Sequence, residues 1–160
     1  MNKNRLYEQR WIYLNKLEFN LKPEWVQAFI DGEGTFQCRI ADVSGTGRSY
    51  VSVNPTLEIA QSSHDVQILN AIKNFFDLGY IKPKYDITCL DKSKKSRSVS
   101  RLIINQYQNI IDFLDKYPLY TRKYLDYPDW KKIIELKYNN KHKTVEGKKN
   151  MIDYIYYILY

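Results

Sequence analysis

The apolar residues of the chain recur with two different periods, and the change of period divides the chain into elements. After Pro23, which suits the first turn of a helix because its missing N–H costs nothing there, apolar residues recur at helical spacing. Gly32 and Gly34 are expected to end this helix. Apolar and polar residues then alternate one by one over residues 35–41 and 48–59, which predicts two strands. The unit is a helix, an acidic turn and a β-hairpin.

The same two patterns repeat in the rest of the chain. A second amphipathic helix is predicted to begin near Ser63, a candidate N-cap, and to end at Gly79. Shorter alternating runs at residues 80–85 and 97–105 predict a second hairpin, whose connecting loop at 86–96 is rich in lysine. The remaining predicted segments are helices at 106–116, 127–138 and 146–159, with a basic linker at 141–149.

The order of the predicted elements is α, ββ, α, ββ, α, followed by extra helices. This order is typical of an α+β fold with one antiparallel four-stranded sheet that helices cover on one face. Residues 1–20 are expected to form an N-terminal extension ahead of a single domain at 21–160. Pro55 interrupts the second strand pattern and predicts a bulge or an unpaired stretch there.

The charge of the chain favours a polyanionic partner. Lys and Arg number 25 and Asp and Glu 18, so the net charge is +7, although charge alone does not distinguish DNA from RNA or a membrane surface. The sequence has no run of about 18 apolar residues that could span a membrane, and no membrane partner is expected. Cys38 and Cys89 lie far apart and predict neither a zinc site nor a disulfide framework.

The composition and the N-terminus also bear on where the protein is made. Fifteen tyrosines, with many Asn, Lys and Ile, suggest an AT-rich coding sequence of the kind found in organelle genomes. The N-terminus lacks the apolar core of a signal peptide, and Glu8 and Glu18 argue against a transit peptide. An organelle-encoded protein is therefore expected, in a mitochondrion rather than a chloroplast.

The outward positions of the four predicted strands are polar and basic. An ordinary solvated face would carry similar residues, but two hairpins that share one such surface favour a β-ribbon in the major groove of DNA. Arg and Lys can pair there with guanine, and Asn and Gln with adenine, whereas the lysines of the 86–96 loop suit phosphates. The predicted DNA-binding residues are Gln37, Arg39, Arg48, Ser52, Asn54, Thr56, Glu58, Lys82, Lys84, Arg97 and Arg101.

The acidic turn is the candidate for chemistry. Glu33 lies between two glycines at a helix end whose backbone carbonyls are free, which suits a hard divalent cation. Taken alone, Asp-Gly-Glu-Gly could be an exposed turn without chemistry. With its flanks, residues 26–34 read V-Q-A-F-I-D-G-E-G, which resembles the signature of the LAGLIDADG homing endonucleases.

The resemblance covers roughly residues 23–138. The small residue matches at Ala28, the apolar pair at Phe29 and Ile30, and the two acids at Asp31 and Glu33. The departures are a glutamine at position 27, an alanine where glycine is common, and a glutamate in place of the commoner aspartate as second acid. The family tolerates all three.

The resemblance implies metal-dependent phosphodiester hydrolysis. Glu33 and the carbonyl of Gly32 would bind Mg²⁺, with Mn²⁺ as a substitute and Ca²⁺ binding without cleavage. Gln61 would position a water, and Lys123, with Arg122 as the fallback, would stabilise the transition-state charge. Each also has an ordinary interpretation, a strand-end hydrogen bond for Gln61 and a solvated loop charge for Lys123.

The resemblance also implies a homodimer. The 160 residues contain one acidic motif, whereas cutting both strands of DNA needs two acids, so two copies are expected to pair about a two-fold axis. The target would be a long pseudo-palindromic duplex, cut across the minor groove with 3′ overhangs. The predicted interface residues are Trp25, Ala28, Phe29 and Asp31, with Asp31 bracing the helix pair.

The sequence is also compatible with two other classes of protein. The fold could serve a DNA-binding protein without cleavage, or an RNA-binding group I intron maturase whose partner is intron RNA. A basic structural protein would leave the acidic turn unexplained.

Overall fold

Five helices and four strands make up the part of the chain that the structure, a computed structural model, describes: residues 19–45, 48–84 and 99–159. The predicted α+β fold with a four-stranded antiparallel sheet is confirmed. The elements are α1 (Pro23–Glu33), β1 (Gly34–Gly45), β2 (Arg48–Ser62), α2 (Val66–Phe76), β3 (Tyr80–Lys84), β4 (Val99–Ile104), α3 (Tyr107–Lys116), α4 (Lys123–Tyr138) and α5 (Val145–Leu159). Short 3₁₀ turns at Ser63–Asp65 and Lys141–Lys143 precede α2 and α5.

The two hairpins join into one sheet through their inner strands. The strand order is β1-β2-β4-β3, and every neighbouring pair is antiparallel. β2 and β4 pair from Leu57 opposite Ile104 to Ser62 opposite Val99. The sheet therefore presents one continuous surface on each side.

The helices cover one side of this sheet, as predicted. Alternate strand residues, among them Leu57, Ile59, Leu102 and Ile104, are at most 1% exposed and form one core with residues of the helices. This burial of apolar area is the main stabilising contribution to the fold. The helix residues of that core include Val26, Ile30, Leu69, Ile72, Ile110, Leu114, Trp130 and Ile134.

Of the two alternatives predicted at Pro55, the bulge is wrong, whereas an unpaired stretch is found on the side of β2 that faces β4. The register of β1 and β2 runs without an extra residue, with Pro55 directly opposite Cys38. On its other side β2 pairs with β4 only from Leu57 onward. Pro55 thus lies beyond the end of β4, where the ladder needs no N–H from it, and a proline is tolerated at such an edge position.

The fourth helix begins earlier than predicted. Its first turn is held by hydrogen bonds from the Tyr124 N–H to the Thr121 carbonyl, 2.9 Å, and from the Leu125 N–H to the Arg122 carbonyl, 2.8 Å. The helix then accommodates Pro128 in its interior. Lys123, expected on a loop, is therefore the first residue of α4.

Other differences concern the ends of elements. Ser62 caps the 3₁₀ turn that precedes α2, where its Oγ accepts a hydrogen bond from the His64 N–H, and Asp65 rather than Ser63 is the N-cap residue of α2. The predicted basic linker at 141–149 holds a 3₁₀ turn and the start of α5. Residues 1–18 of the predicted N-terminal extension and the lysine-rich loop at 86–96 lie outside the described residues.

Candidate functional site

The acidic turn forms the junction between α1 and β1. Glu33 is the last residue of the helix, and the Gly34 N–H donates a hydrogen bond to the Ile30 carbonyl before the chain enters the strand. A Cβ at position 34 would lie 2.5 Å from the Ile30 oxygen, so this abrupt junction requires glycine. Gly32 and Glu33 are both exposed. The sequence therefore holds a carboxylate outward at the carbonyl end of a helix.

A cleft of about 410 Å³ opens beside this junction. Glu33 of α1 and Lys123 of α4 both line it, so the structure brings together two of the three predicted catalytic residues. Gln61 is adjacent to the lining residue Ala60, and its Oε1 accepts a hydrogen bond from the Ser62 N–H at 2.9 Å. The lining residues are Gly32, Glu33, Gly34, Thr35, Phe36, Ala60, Lys123, Asp126 and Ile158.

Lys123 is tied to the carbonyl end of α1. Its Nζ donates hydrogen bonds to the Asp31 carbonyl at 2.6 Å and to the Gly32 carbonyl at 3.3 Å. An ammonium is stabilised at a helix C-terminus, where the partial charge is negative. The Gly32 carbonyl, predicted as a metal ligand, thus lies within reach of the predicted catalytic cation.

Two polar side chains of α1 hold the segment that leads into α4. Asp31 Oδ1 accepts a hydrogen bond from Thr121 Oγ1 at 2.6 Å, and Asp31 Oδ2 accepts one from the Tyr120 N–H at 2.9 Å. One helical turn earlier, Gln27 Nε2 donates to the Pro118 carbonyl at 2.8 Å. We call these contacts the α1–α4 clamp. It fixes the start of α4, and with it Lys123, against the end of α1.

The Asp31 carboxylate is occupied within its own chain. It is 7% exposed, and burial alone would raise its pKa. The hydrogen bonds from Thr121 and Tyr120, with the charge of Lys123, outweigh that effect and hold the pKa of Asp31 below its ordinary value. This geometry favours a role inside the chain over the predicted one at an interface.

Asp31→Asn is expected to destabilise the fold by roughly 1–3 kcal/mol at pH 7, because the new amide group would face N–H donors. Since the pKa of Asp31 is lowered in the folded state, its contribution is present above the ordinary pKa of 3.8 and is lost as the pH falls through the lower folded value. Urea unfolding of both proteins at pH 7 and pH 3 measures this. Asp112→Asn, at an exposed carboxylate of α3, is the control, and equal losses at both sites would contradict the clamp.

Asp126 is a second acid of the cleft that was not predicted as a site residue. It follows Lys123 by three residues on α4 and lines the same cleft. Burial raises the pKa of this carboxyl, against the opposing charges of Arg122 and Lys123. The spacing of three from Lys123 would have revealed it once α4 was known to start at Lys123.

The outer side of the sheet carries the predicted DNA-binding residues. Cross-strand neighbours on this side include Arg39 with Asn54, Gln37 with Thr56, and Lys82 with Arg101. Arg39, Asn54 and Lys82 are exposed, whereas Gln37, Ser52, Thr56 and Arg101 are half-buried. Arg97 lies outside the described residues, as do the side chains of Arg48 and Lys84.

Glu58 lies on the same side of the sheet but is only 3% exposed. Its Oε1 is 2.9 Å from Arg39 Nη2, and its Oε2 is 3.6 Å from Arg101 Nη1. The sequence pattern thus predicts the correct side of the sheet for Glu58, but two arginines cover its carboxylate.

The side of α1 opposite the buried Val26 and Ile30 is apolar and carries small residues. Trp25, 41% exposed, stacks on the half-buried Phe29 with ring centroids 5.0 Å apart, and Ala28, next to Phe29, is exposed. A Cβ built on Gly32 meets nothing within 4 Å. We call Trp25, Ala28, Phe29 and Gly32 the outer face of α1.

Two other kinds of feature are absent from the part of the chain that the structure describes. There, no three or more His, Cys, Asp or Glu side chains are grouped to hold a metal ion. None of the described helices is long and apolar enough to cross a membrane.

The sequence is similar to a family of known proteins. A family model described as LAGLIDADG endonuclease matches residues 28–134. Probable intron-encoded endonuclease 3 of Neurospora crassa is 31% identical over 128 residues, which are 79% of this chain and 22% of that protein. The cox1 intron-2 37.2 kDa protein of Schizosaccharomyces pombe is 26% identical over 134 residues, which are 80% of this chain and 35% of that protein. The chain thus spans about a fifth to a third of these relatives.

The fold is also similar to solved structures. A homing endonuclease, I-TnaI, superimposes with a TM-score of 0.72 and 26% identity over 86% of this chain and 87% of that chain. I-SmaMI bound to an uncleaved DNA target in the presence of calcium ions gives a TM-score of 0.70 and 29% identity. That match covers 85% of this chain but 44% of the other, so the domain is about half the length of that protein.

Proposed function

The chain belongs to the LAGLIDADG endonuclease family, and from this premise we propose that it hydrolyses phosphodiester bonds of double-stranded DNA at a specific site. The observation that carries the proposal is that Glu33 and Lys123 line one cleft at the end of α1. An acid and a cation that line the same cleft beside a basic sheet surface suit a reaction in which a polyanion gains further charge. The sequence similarity to intron-encoded endonucleases supports the same activity.

The residues at the end of α1 fit a divalent metal ion. The Glu33 carboxylate and the Gly32 carbonyl are hard oxygen donors on exposed residues, and oxygen donors are what Mg²⁺ takes in proteins. Two donors do not complete a coordination shell, so phosphate oxygens and water would supply the rest. Mn²⁺ could replace Mg²⁺, and Ca²⁺ would bind without cleavage. The bound ion would activate a water and neutralise charge on the leaving oxygen.

The other residues of the cleft would act on the phosphate and the water. Lys123 would stabilise the charge of the transition state, a contribution that fixed charges make best where water is excluded. Gln61, next to Ala60 at the cleft, would position a water through its amide. Asp31 would act through Lys123 by way of the α1–α4 clamp.

We propose that two copies of the chain pair through the outer face of α1. Its small residues would let a second helix approach closely, and Trp25 with Phe29 would be buried by it. The pairing would place two Glu33 side chains near one axis, one for each DNA strand. A long pseudo-palindromic target, cut to leave 3′ overhangs, follows from that symmetry.

Gly32→Ala is expected to weaken association of two copies at least about tenfold while leaving the fold of each copy as stable as before. The added methyl meets nothing within its own chain, and alanine is the better helix former, but the methyl would separate two packed helices. Sedimentation equilibrium measures association, and urea unfolding measures stability. Gly34→Ala is the contrasting variant, because its Cβ would collide with the Ile30 carbonyl and destabilise each copy. Unchanged association of Gly32→Ala would contradict the proposed interface.

The sheet surface would read the target in the major groove. We propose direct base contacts for the arginines, lysines and amides on its outer side, with sequence chosen by pairing to base edges. The similarity to a protein named after a cox1 intron supports a gene in a mitochondrial intron.

The proposed function is tested by cleavage of a randomised duplex library. The protein is incubated with the library and Mg²⁺, with Ca²⁺ as the condition for binding without cleavage. Recovery of one long, nearly symmetric cut site with 3′ overhangs is the expected result. Enrichment of bound duplex in both metals without any cut would instead assign the fold to DNA binding alone, and binding to group I intron RNA in place of duplex would assign it to a maturase.

A further inference from the structure

Glu58 has an unusual position for an acid on a surface proposed to contact DNA. It is central in the sheet, on β2, and its two carboxylate oxygens are divided between arginines of the two flanking strands. Arg39 of β1 contacts Oε1 at 2.9 Å, and Arg101 of β4 lies 3.6 Å from Oε2. The side chain of Glu58 is 4% exposed, against 62% for Arg39 and 38% for Arg101.

These exposures separate the roles of the three residues. A carboxylate that is almost fully buried beneath two guanidinium groups cannot reach a base edge without displacing them. The arginines keep donors on their exposed sides, since each guanidinium has five N–H groups and only part of them faces Glu58. The arginines are thus the groups that DNA would meet, and Glu58 lies behind them.

We infer that Glu58 is a positioning residue for sequence recognition, which holds Arg39 and Arg101 where each can contact a base pair. The inference rests on the proposed function, because it requires the outer side of the sheet to face DNA. It replaces the direct base contact predicted for Glu58 from the sequence.

The register of the strands explains why such a residue is needed. Arg39 is opposite Asn54 and Arg101 is opposite Ala60, six residues apart on β2, or roughly 20 Å at the rise of a strand. The two side chains nevertheless reach the same carboxylate from either direction. Both guanidinium groups are therefore held within 3.6 Å of the same carboxylate, and we expect them to face neighbouring base pairs.

Electrostatics supports the same role. Two guanidinium groups this close repel one another, and a carboxylate between them offsets the repulsion. A buried carboxylate, in turn, is tolerated because it is paired with both. An arginine that Glu58 already holds in place loses less side-chain freedom when it binds a guanine. The ion pairs with Glu58 therefore lower the entropy cost of binding DNA.

Glu58→Gln is the test, carried out by binding selection from a randomised duplex library in Ca²⁺. We expect the preference at two neighbouring base pairs of each half-site to fall about tenfold, within the range of one good bidentate contact, while preferences elsewhere stay unchanged. Affinity for duplex of unrelated sequence should be equal or higher, because a negative charge has left the surface facing DNA. Glu24→Gln, at an exposed acid in the first turn of α1, is the matched control and should reproduce the wild-type profile.

The outcomes distinguish this inference from the function on which it rests. A wild-type protein without any sequence preference would overturn both. A wild-type protein with a clear site and a Glu58→Gln profile that superimposes on it would overturn only the inference. If Glu58→Gln lowers the affinity for all sequences equally and also lowers the thermal stability, Glu58 is structural. That result would also overturn the inference.

A second variant keeps the test decisive should Glu58→Gln fail to fold. Glu58→Asp preserves the charge but is shorter by one methylene, so it can hold only one of the two arginines. The expected result is a loss of preference at one of the two neighbouring base pairs. A wild-type profile for Glu58→Asp would contradict the positioning role.

Discussion

Replacing Glu33 with glutamine is expected to reduce cleavage at least about a thousandfold, equivalent to roughly 4 kcal/mol of transition-state stabilisation, while DNA affinity changes by less than about tenfold. The glutamine keeps the size of the side chain but removes the charge that would hold the metal ion. The proposed contacts of the sheet surface with DNA would remain. Because Glu33 is exposed, the fold should be unaffected.

Single-turnover cleavage in Mg²⁺ and fluorescence anisotropy in Ca²⁺ measure the two quantities separately. Glu24→Gln removes the same charge from the opposite end of the same helix and should leave both unchanged. A comparable loss of binding and cleavage in Glu33→Gln would assign Glu33 to the structure of the turn instead of to the reaction.

Lys123→Met is expected to lower the cleavage rate by about 10²–10³-fold, the usual effect of removing a group that stabilises a developing oxyanion. Methionine keeps the apolar stem of the side chain, while the hydrogen bonds from Nζ to the Asp31 and Gly32 carbonyls are lost. The clamp itself is made by Asp31 with Thr121 and Tyr120, so the start of α4 should stay in place.

Arg122→Met is the matched control for this substitution. Arg122 precedes Lys123, and its side chain is 64% exposed and 3.9 Å from Asp126. Cleavage rates measured at saturating DNA distinguish the effects of the two substitutions, and urea unfolding verifies that both variants fold. A larger loss in Arg122→Met than in Lys123→Met would make Arg122 the cation that acts on the phosphate.

The sequence predicts those parts of the fold that depend on neighbouring residues. The spacing of apolar residues changes at Gly34 from helical to alternating, because α1 and β1 each bury one apolar side. This change predicts the junction between the two elements. The position of Glu33 at the helix end follows from the same local pattern. Resemblance to a family added roles for Gln61 and Lys123 that no spacing within the chain could give.

What the sequence does not predict depends on contacts between distant residues. Asp31 lies 90 residues from Thr121, so its partners became apparent only with the packing of α1 against the start of α4. Glu58 has the phase of an outward residue, but its burial depends on arginines of two other strands. Pro55 conforms to the rules for proline once the end of β4 is known, whereas Pro128, which the prediction placed in the first turn of a helix, lies in the interior of α4.

The α1–α4 clamp divides the geometry of the proposed dimer into a fixed part and an adjustable part. Glu33 and Lys123 move as one unit, because Asp31 joins the helix that ends at Glu33 to the segment that begins α4. The separation between two such units would depend only on how the outer faces of the α1 helices pack. Substitutions on the outer face would therefore change the number of unpaired nucleotides left between the two cuts, while the groups that act at each cut keep their arrangement. Overhang length and reaction rate could then evolve separately.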